Sequence, residues 1–175
     1  MSLEIIPVWK KITPELEAEL VAFWISNKAI GDEKLAAGRA KEAICLIRSE
    51  QGAIVGVSTA QPRIVPRLRQ PMYYYRQFFA EEVRGQHLAA PVGAKSREVL
   101  QQYELSLPKP QCIGLIFELE NQVIAARRNE AQWKEGWTFI GYSPKGLHLR
   151  VSYFDGVRLH PPSPLKKPAR ARAAN

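Results

Sequence analysis

Residues 72–120 read MYYYRQFFAEEVRGQHLAAPVGAKSREVLQQYELSLPKPQCIGLIFELE, and this stretch decides the fold. It opens with a long aromatic segment (72–82), continues into a helical segment (93–105) and ends in a strongly apolar segment (109–120). A connection through a helix joins parallel strands, so the order strand, helix, strand predicts a parallel pair.

The segments on either side of this stretch predict antiparallel hairpins and amphipathic helices. A Gln-Gly turn joins two of the outer strands, and the sequence Pro-Lys-Gly joins two others. The predicted outer strands are 3–9, 42–49, 53–61, 137–143 and 147–154. The predicted outer helices are 14–26, 32–38 and 121–136. The fold class is therefore α/β, with a mixed, mostly antiparallel central sheet and helices on both faces.

The turn after the aromatic segment has the features of an anion site at the start of a helix. Gly85 permits a close turn, and Arg84 can add positive charge. His87 stands where a second glycine is expected, although histidine tolerates a positive φ better than most residues. If the helix begins near Gly85, Pro91 kinks it, whereas a helix that begins near Pro91 accepts the proline in its first turn.

The aromatic segment has two possible uses. Stacking on nucleic acid is one, because aromatic rings in a row can bind bases. Core packing is the favoured one, because a central strand next to a parallel partner is buried on both faces. The strand period of two predicts two faces, with Tyr73, Tyr75, Gln77 and Phe79 on one and Met72, Tyr74, Arg76 and Phe78 on the other.

A proline-bounded segment, 62–71, predicts a loop that carries Arg63, Arg67 and Arg69. The three arginines can receive an acidic group from a cofactor or an acceptor substrate. A solvated loop is the alternative, because arginine is mostly exposed in any protein.

The chain has 175 residues and a net charge of +8, and the charge is unevenly distributed. We expect a single domain over 1–160 and a basic tail rich in proline and alanine over 161–175. The tail lacks periodicity, which predicts disorder, and its lysines and arginines could bind nucleic acid or an acidic partner. A solvated tail without a specific partner is the alternative.

The remaining composition narrows the protein class. No apolar run is long enough for a membrane helix, so we expect no membrane partner. The segment MSLEIIPVWKK lacks a basic start and a cleavage site, which predicts a chain without a signal peptide. Cys45 and Cys112 lie in apolar runs and are expected to be buried thiols in a reducing, cytoplasmic setting. No cluster has metal-ligand spacing.

Two segments carry a resemblance to a known family over roughly residues 1–155. FFAEEVRGQHLA (78–89) resembles the R-x-x-G-x-G/A turn of the GCN5-related N-acetyltransferases (GNAT), with Arg84, His87 and Ala89 at its three positions. ARRNEAQWKEGWTFIGYS (126–143) is similar to the family's helix and following strand. The chain thus resembles a divergent member of the GNAT superfamily, with an acyl-CoA N-acyltransferase-like fold.

The resemblance implies a V-shaped opening between the fourth and fifth strands. Acetyl-CoA, as acyl donor, would lie in this opening, with its pyrophosphate on the turn and its pantetheine arm paired with strand four. An extended amide chain can add to a free strand edge in this way. The implied cofactor-binding residues are Phe79, Ala80, Val83, Arg84, Gly85, Gln86, His87, Leu88 and Ala89.

The implied reaction is direct transfer of the acetyl group to an unknown amine, without a covalent enzyme intermediate. The candidate bases are Glu81, Glu82 and Glu118, at strand ends beside the opening. A strand-four N–H near Phe79 could polarise the carbonyl. Trp133 stands near where many family members have an acidic tyrosine, and an indole is no acid. Tyr142 and Tyr103 are the substitute candidates.

Two other functions remain open on the sequence alone. One is a binding or scaffold module that keeps the fold without catalysis, as His87 and Trp133 suggest. The other is a nucleic-acid-binding protein that uses the basic tail. A homodimer is also possible, because the hairpin 137–154 could supply a sheet edge for pairing.

Overall fold

The computed structural model describes residues 3–164, so the predicted basic tail beyond 164 lies outside the described residues. Within them the chain forms a seven-stranded sheet in the order β1-β2-β3-β4-β5-β7-β6. The strands are β1 (Glu4–Pro7), β2 (Ala43–Arg48), β3 (Ile54–Val65), β4 (Gln70–Phe79), β5 (Gly114–Leu119), β6 (Thr138–Tyr142) and β7 (His148–Tyr153). The helices are α1 (Pro14–Ser26), α2 (Glu33–Ala40), α3 (Ala89–Ser106) and α4 (Gln122–Arg127). A short 3₁₀ helix spans Glu81–Val83.

The sheet is mostly antiparallel, and its parallel pair is β4 with β5. The strand pairs β1–β2, β2–β3, β3–β4, β5–β7 and β6–β7 are antiparallel. The helix α3 connects β4 to β5, as the strand, helix, strand order predicts. The predicted fold class is confirmed.

Helices cover both faces of the sheet. On one face, Leu20, Phe23 and Trp24 of α1 pack in one apolar cluster with Leu46 and Val57 of the sheet. On the other, Leu100 of α3 shares a cluster with buried sheet residues, among them Tyr73, Tyr75 and Leu115. Each first-face helix is capped, α1 by the Thr13 hydroxyl and α2 by the Asp32 carboxylate.

The aromatic strand is a core strand, as favoured from the sequence. Tyr73 is fully buried and Tyr75 nearly so, both on the α3 side. Met72 and Tyr74 point to the opposite face, where they pack near Ile116. The strand ends at Phe79, however, and not at residue 82 as predicted, because the chain turns at Ala80 into the 3₁₀ helix.

The prediction of a loop over 62–71 is wrong. Most of it is strand, because β3 runs to Val65 and β4 begins at Gln70. Ala60 donates its N–H to the Glu42 carbonyl just before β2 begins, and β3 then extends past β2. Pro62 lies in this extension, where a missing N–H removes no bond to a second neighbour.

The prediction of a helix over 121–136 is also wrong in its extent, since α4 ends at Arg127. The chain then folds into a loop in which the Trp133 indole donates to the Arg128 carbonyl over 3.1 Å. Gly136 closes the loop with a φ of 86° and donates its N–H to the Trp133 carbonyl. These contacts to Trp133 outweigh the helical pattern of the sequence.

The remaining boundaries shift as well. The helix α3 begins at Ala89, earlier than the predicted residue 93, and Pro91 therefore lies comfortably in its first turn. The strand β5 begins at Gly114 and not at residue 109. A Cβ at Gly114 would collide with the Ser152 carbonyl and the Tyr153 Cα, so glycine is what allows β7 to approach this closely.

Candidate functional site

The strands β4 and β5 separate almost at once after they pair. Their matched residues are Tyr73 with Leu115 and Tyr74 with Ile116. Beyond these pairs, β4 continues to Phe79 and β5 to Leu119. A cavity of about 670 Å³ occupies the gap between them.

Most of the cavity wall comes from three parts of the chain, and Trp24, Ala29, Ile30, Arg39, Val57 and Thr59 complete it. From β4 it is lined by Tyr74, Tyr75, Arg76, Gln77, Phe78 and Phe79. From β5 and the residues after it, the lining includes Phe117, Glu118, Leu119, Glu120, Arg128, Trp133, Glu135 and Trp137. The turn and α3 contribute Arg84, Ala89, Ala90 and Gly93. The V-shaped opening predicted between these strands is therefore present.

One edge of β4 is free along this cavity. Its other edge pairs with β3 as far as the pair Phe79 and Gly56. A Cβ at Gly56 would come within 2.7 Å of the Phe79 ring, so the ring lies tightly over that glycine. The Phe79 carbonyl accepts from Arg84 Nε over 3.2 Å. The rest of this edge has no neighbouring strand, so its backbone N–H and C=O groups are available to an extended amide chain.

The turn between β4 and α3 adopts the conformation that the sequence predicts for an anion site. Gly85 has a φ of 86° and His87 a φ of 56°, so both residues are left-handed. The N–H groups of Arg84 and Gln86 donate within the turn, to the carbonyls of Glu81 and Val83. Among the described residues no acceptor is recorded for the N–H groups of Gly85, His87, Leu88 and Ala89. These donors stand at the N-terminus of an 18-residue helix, where anions bind favourably.

The structure separates the predicted cofactor-binding residues into three groups. The first group, Phe79, Arg84 and Ala89, lines the cavity. The second, Ala80 and Val83, is buried in the core, so these side chains are out of a ligand's reach. The third, Gly85, Gln86, His87 and Leu88, lies in the turn outside the cavity lining, where the backbone is the part available to a ligand.

The three candidate bases do not lie together. Glu118 lines the cavity and is partly buried. Glu81 and Glu82 lie on the exposed 3₁₀ helix and are not part of the lining. The chain leaves the sheet before these two residues, which is why they are not at a strand end.

The two candidate acids also lie outside the cavity lining. Tyr142 is on β6, the outermost strand, with 55% of its surface exposed. Its ring packs against Phe139 and His148, with centroids 5.2 and 5.4 Å away. Tyr103 packs edge-on against Trp9 near the opposite end of α3. Proximity therefore favours neither residue.

Trp133 forms part of the cavity wall between two guanidinium groups. The carbon at the centre of the Arg128 guanidinium lies 4.2 Å from its ring centroid, and that of Arg150 lies 4.1 Å away. Arg128 also pairs with Glu135 at 2.6 Å. Burial acts to raise the pKa of Glu135, but hydrogen bonds, the Arg128 one foremost, leave it lower than usual. The indole is therefore held rigidly, as a packing group.

Buried hydroxyl groups lie in and near the cavity wall, and Tyr75 is the one that lines the cavity. The Tyr75 hydroxyl donates to the Gln77 side chain over 3.0 Å, and the Ser58 and Ser96 hydroxyls are 2.8 Å apart. Burial raises the pKa of Tyr75, so its hydroxyl stays neutral at physiological pH.

Sequence reasoning missed several lining residues. Ala90 and Gly93 of α3 face the cavity, and Gly93 leaves room above the Tyr75 hydroxyl, 3.9 Å from where a Cβ would lie. The small residues Ala89 and Gly93, four apart on a helix, were the available signal. Glu120 and Glu135 gave no signal beyond their charge. Among residues 3–164, no helix is long and apolar enough to cross a membrane, and no group of His, Cys, Asp and Glu could hold a metal ion.

Comparisons with known proteins identify the fold. A GNAT-family acetyltransferase from Streptococcus pneumoniae superimposes with a TM-score of 0.57 at 16% identity, over 87% of this chain and 99% of that one. A chimera of the spermidine N-acetyltransferase SpeG from Vibrio cholerae and hSSAT gives 0.52 at 12% identity, over 87% and 96%.

A third similar structure is a mutant of the toxin AtaT bound to the C-terminus of the antitoxin AtaR and acetyl-CoA. Its TM-score is 0.54 at 13% identity, over 87% of this chain and 94% of that one. No protein-family model matches the sequence, and no curated protein matches it. The chain thus has the fold of the GNAT acetyltransferases, and the resemblance stated from its sequence is confirmed at the level of the fold.

Proposed function

We propose that this protein is an acyl-CoA-dependent N-acyltransferase that moves an acetyl group directly to an amine. The observation that carries the proposal is the early separation of β4 from β5, which leaves a free strand edge along a cavity of about 670 Å³. The similar structures support the same conclusion, since they include acetyltransferases and one complex with acetyl-CoA.

The residues present fit acetyl-CoA. The N–H groups of Gly85, His87, Leu88 and Ala89 have no recorded acceptor among the described residues and would take the pyrophosphate. The free edge of β4 from Tyr75 to Phe79 would hold the pantetheine amides. When bound, acetyl-CoA supplies an activated thioester carbonyl.

Glu118 is the base we favour among the three candidates. It alone of the three lines the cavity, and its partial burial places it between solvent and the interior. A carboxylate there would accept the proton that an ammonium acceptor must lose, and a positioned base contributes roughly 10²–10⁴-fold. A free N–H of β4 near Phe79 would polarise the carbonyl oxygen.

For protonation of the leaving group, we favour the tyrosines of the cavity lining over Tyr142 and Tyr103. Tyr74 and Tyr75 both line the cavity, and the pKa of each is raised, so each hydroxyl is protonated. The Tyr75 hydroxyl already donates to the Gln77 side chain, which leaves Tyr74 as the better candidate. In both cases burial is the first cause of the raised pKa. Trp133 supplies an N–H that already donates to a carbonyl, so it takes no part.

The test is the thermal midpoint with acetyl-CoA, CoA and ATP, followed by release of free thiol with a panel of amines. A ligand at 100 times its Kd adds about 2.7 kcal/mol of stability, which is several degrees for a domain of this size. We expect a shift with both CoA species and none with ATP, and then thiol release that depends on the amine. No shift at millimolar acetyl-CoA would overturn the proposal.

A module that binds acyl-CoA without catalysis is the second candidate. The observation in its favour is the packing of Trp133 against Arg128 and Arg150. This indole stands near the position where many family members have an acidic tyrosine, and an indole cannot protonate a leaving group. A thermal shift without thiol release, over a broad amine panel, would favour it. A homodimer, a cytoplasmic location and nucleic-acid binding through the tail remain predictions from the sequence.

A further inference from the structure

Three arginines from three different elements gather on the face of the sheet that carries Tyr74. They are Arg39 of α2, Arg63 of β3 and Arg76 of β4, and we call them the arginine cluster. The central guanidinium carbons of Arg63 and Arg76 lie 4.6 and 5.0 Å from the centroid of the Tyr74 ring. Arg39 and Arg76 line the cavity together with Tyr74.

The arginine cluster has no carboxylate partner within 4.0 Å in the part of the chain that the structure describes. By contrast, Arg48 pairs with Glu19, Arg97 with Asp155 and Arg128 with Glu135. Arg63 donates twice to the side chain of Gln61, a neutral group that carries no compensating charge. Unpaired guanidinium groups beside a cavity are suited to an anionic ligand.

The charges of the cluster act on one another. The pKa of Arg39 is lowered, first by burial and then by the charge of Arg76, with a smaller part from Arg63. Glu42 and Glu120 oppose this effect, and Glu42 has a raised pKa because it is itself partly buried. Like charges held this close repel each other, and a bound anion would relieve the repulsion.

Carboxylates stand close to the same place. Burial is the main cause of the raised pKa of Tyr74, and after it Arg76 acts to lower this pKa and Glu118 to raise it. Tyr74 therefore lies between a guanidinium on β4 and a carboxylate on β5. Glu120 lines the same cavity. A ligand that pairs with the guanidinium groups and with these carboxylates at the same time needs an anionic group and a cationic group a short distance apart.

We propose that the acceptor is a small primary amine that also carries an anionic group, a carboxylate or a phosphate. Its anion would bind the arginine cluster, and its amine would lie toward Glu118. The inference rests on the proposed acyltransferase function and names the substrate class of that site. A polyamine is disfavoured, because a second cationic group would face three arginines.

The experiment uses two matched pairs of probes with the full chain, titrated calorimetrically with and without CoA. Alanine is compared with alaninamide, and O-phosphoethanolamine with ethanolamine, so that each pair differs in its anion. Spermidine is the polycation control. The variants are Arg39→Gln and Arg76→Gln, with Arg158→Gln, an exposed arginine of the C-terminal segment, as the matched control.

We expect the anionic member of at least one pair to bind about tenfold more tightly or better, as for a charge-assisted hydrogen bond. The better pair identifies the anion as carboxylate or phosphate. Arg39→Gln and Arg76→Gln should each reduce this preference to less than about threefold, and Arg158→Gln should keep it.

Equal binding within both pairs, absence of binding by all four probes, or a preference that survives both variants would overturn the inference. Amine-dependent thiol release with no preference for the anionic probes would overturn it while the acyltransferase function stands. A preference for the anionic probes in a chain that does not bind acetyl-CoA would overturn the acyltransferase function and leave the anion site.

Discussion

Tyr74 and Ile116 form the last matched residue pair between β4 and β5. On the N-terminal side of this pair, β4 and β5 lie side by side in the sheet. The Tyr74 and Ile116 side chains pack in an apolar cluster with Val151 of β7. The next residue on each strand, Tyr75 and Phe117, lines the cavity. The pair thus marks the point where a packed sheet opens into a cavity, and the residues beside this cavity are the ones that mutations should test.

Gly85→Val is expected to weaken CoA binding at least tenfold and to leave the fold intact. The φ of 86° disfavours a β-branched residue by roughly 1–2 kcal/mol, while nothing lies within 4 Å of the added Cβ. The strain therefore falls on the turn whose N–H groups would hold the pyrophosphate. Calorimetric titration with CoA measures the effect.

The matched control for that variant is Gly52→Val. Gly52 lies in the turn between β2 and β3, with a φ of 83° and equally open space around its Cβ position. It should lose a similar amount of stability without any change in CoA affinity. If both variants bind CoA like the parent protein, the pyrophosphate is not held by the Gly85 turn.

His87→Gly is expected to raise stability by up to about 1 kcal/mol, because glycine accepts a φ of 56° without strain. The imidazole is exposed and does not line the cavity, so CoA affinity should stay within about threefold. The comparison is made by measuring the thermal midpoint and the CoA affinity of the His87→Gly variant and of the parent protein. A tenfold loss of affinity would instead identify the imidazole as a phosphate ligand.

The sequence predicted the order and type of most elements, because hydrophobic periodicity is a local property. It failed where contacts distant in sequence decide. Trp133 leaves the helical pattern because Arg128 and Arg150 hold its ring, and Arg150 lies in a strand much later in the chain. Glu81 and Glu82 were expected at a strand end, but the chain turns into a 3₁₀ helix just before them.

The candidate site was predictable only in part, for the same reason. Arg63, Arg67 and Arg69 form one group in the sequence, but the structure separates them. Arg67 donates to the Ile140 carbonyl and Arg69 to the Ser163 carbonyl, so both tie the chain together. Arg63 instead meets Arg76 at the Tyr74 ring, a combination that only strand register brings about.

Glu118→Gln is expected to reduce kcat about 100-fold or more and to leave CoA affinity unchanged, because the amide cannot accept the proton. Glu81→Gln and Glu82→Gln are the controls, since both carboxylates lie outside the cavity lining. Each should change kcat less than threefold. Steady-state thiol release with the best amine of the panel decides among the three, and a large loss in either control would move the base to the 3₁₀ helix.

Cys112 and Cys45 are expected to resist alkylation by iodoacetamide at pH 8 in the native protein. Burial raises the pKa of both thiols, and that of Cys112 reaches about 12. At pH 8 only about 1 in 10⁴ of a thiol with that pKa is thiolate, the form that reacts. Mass spectrometry should find both thiols unmodified until denaturant is added, and rapid native labelling of either one would contradict its buried position.

Tyr73→Phe is expected to destabilise the fold by about 1–3 kcal/mol, because it leaves one oxygen of a buried carboxylate, Oε1 of Glu104, without its donor. The Tyr73 hydroxyl donates to Glu104 Oε1 over 2.5 Å, and Glu104 is only 4% exposed. The other oxygen, Oε2, accepts from the N–H groups of Gln111 and Cys112 and so anchors the chain before β5.

The matched control is Tyr103→Phe, on the same helix as Glu104. The Tyr103 ring keeps its edge-on contact with Trp9 in the variant, since only a partly exposed hydroxyl is removed. It should change the free energy of unfolding by less than about 0.5 kcal/mol in urea titrations. Equal stability of the two variants would show that Glu104 finds another donor, and the anchor before β5 would then not depend on Tyr73.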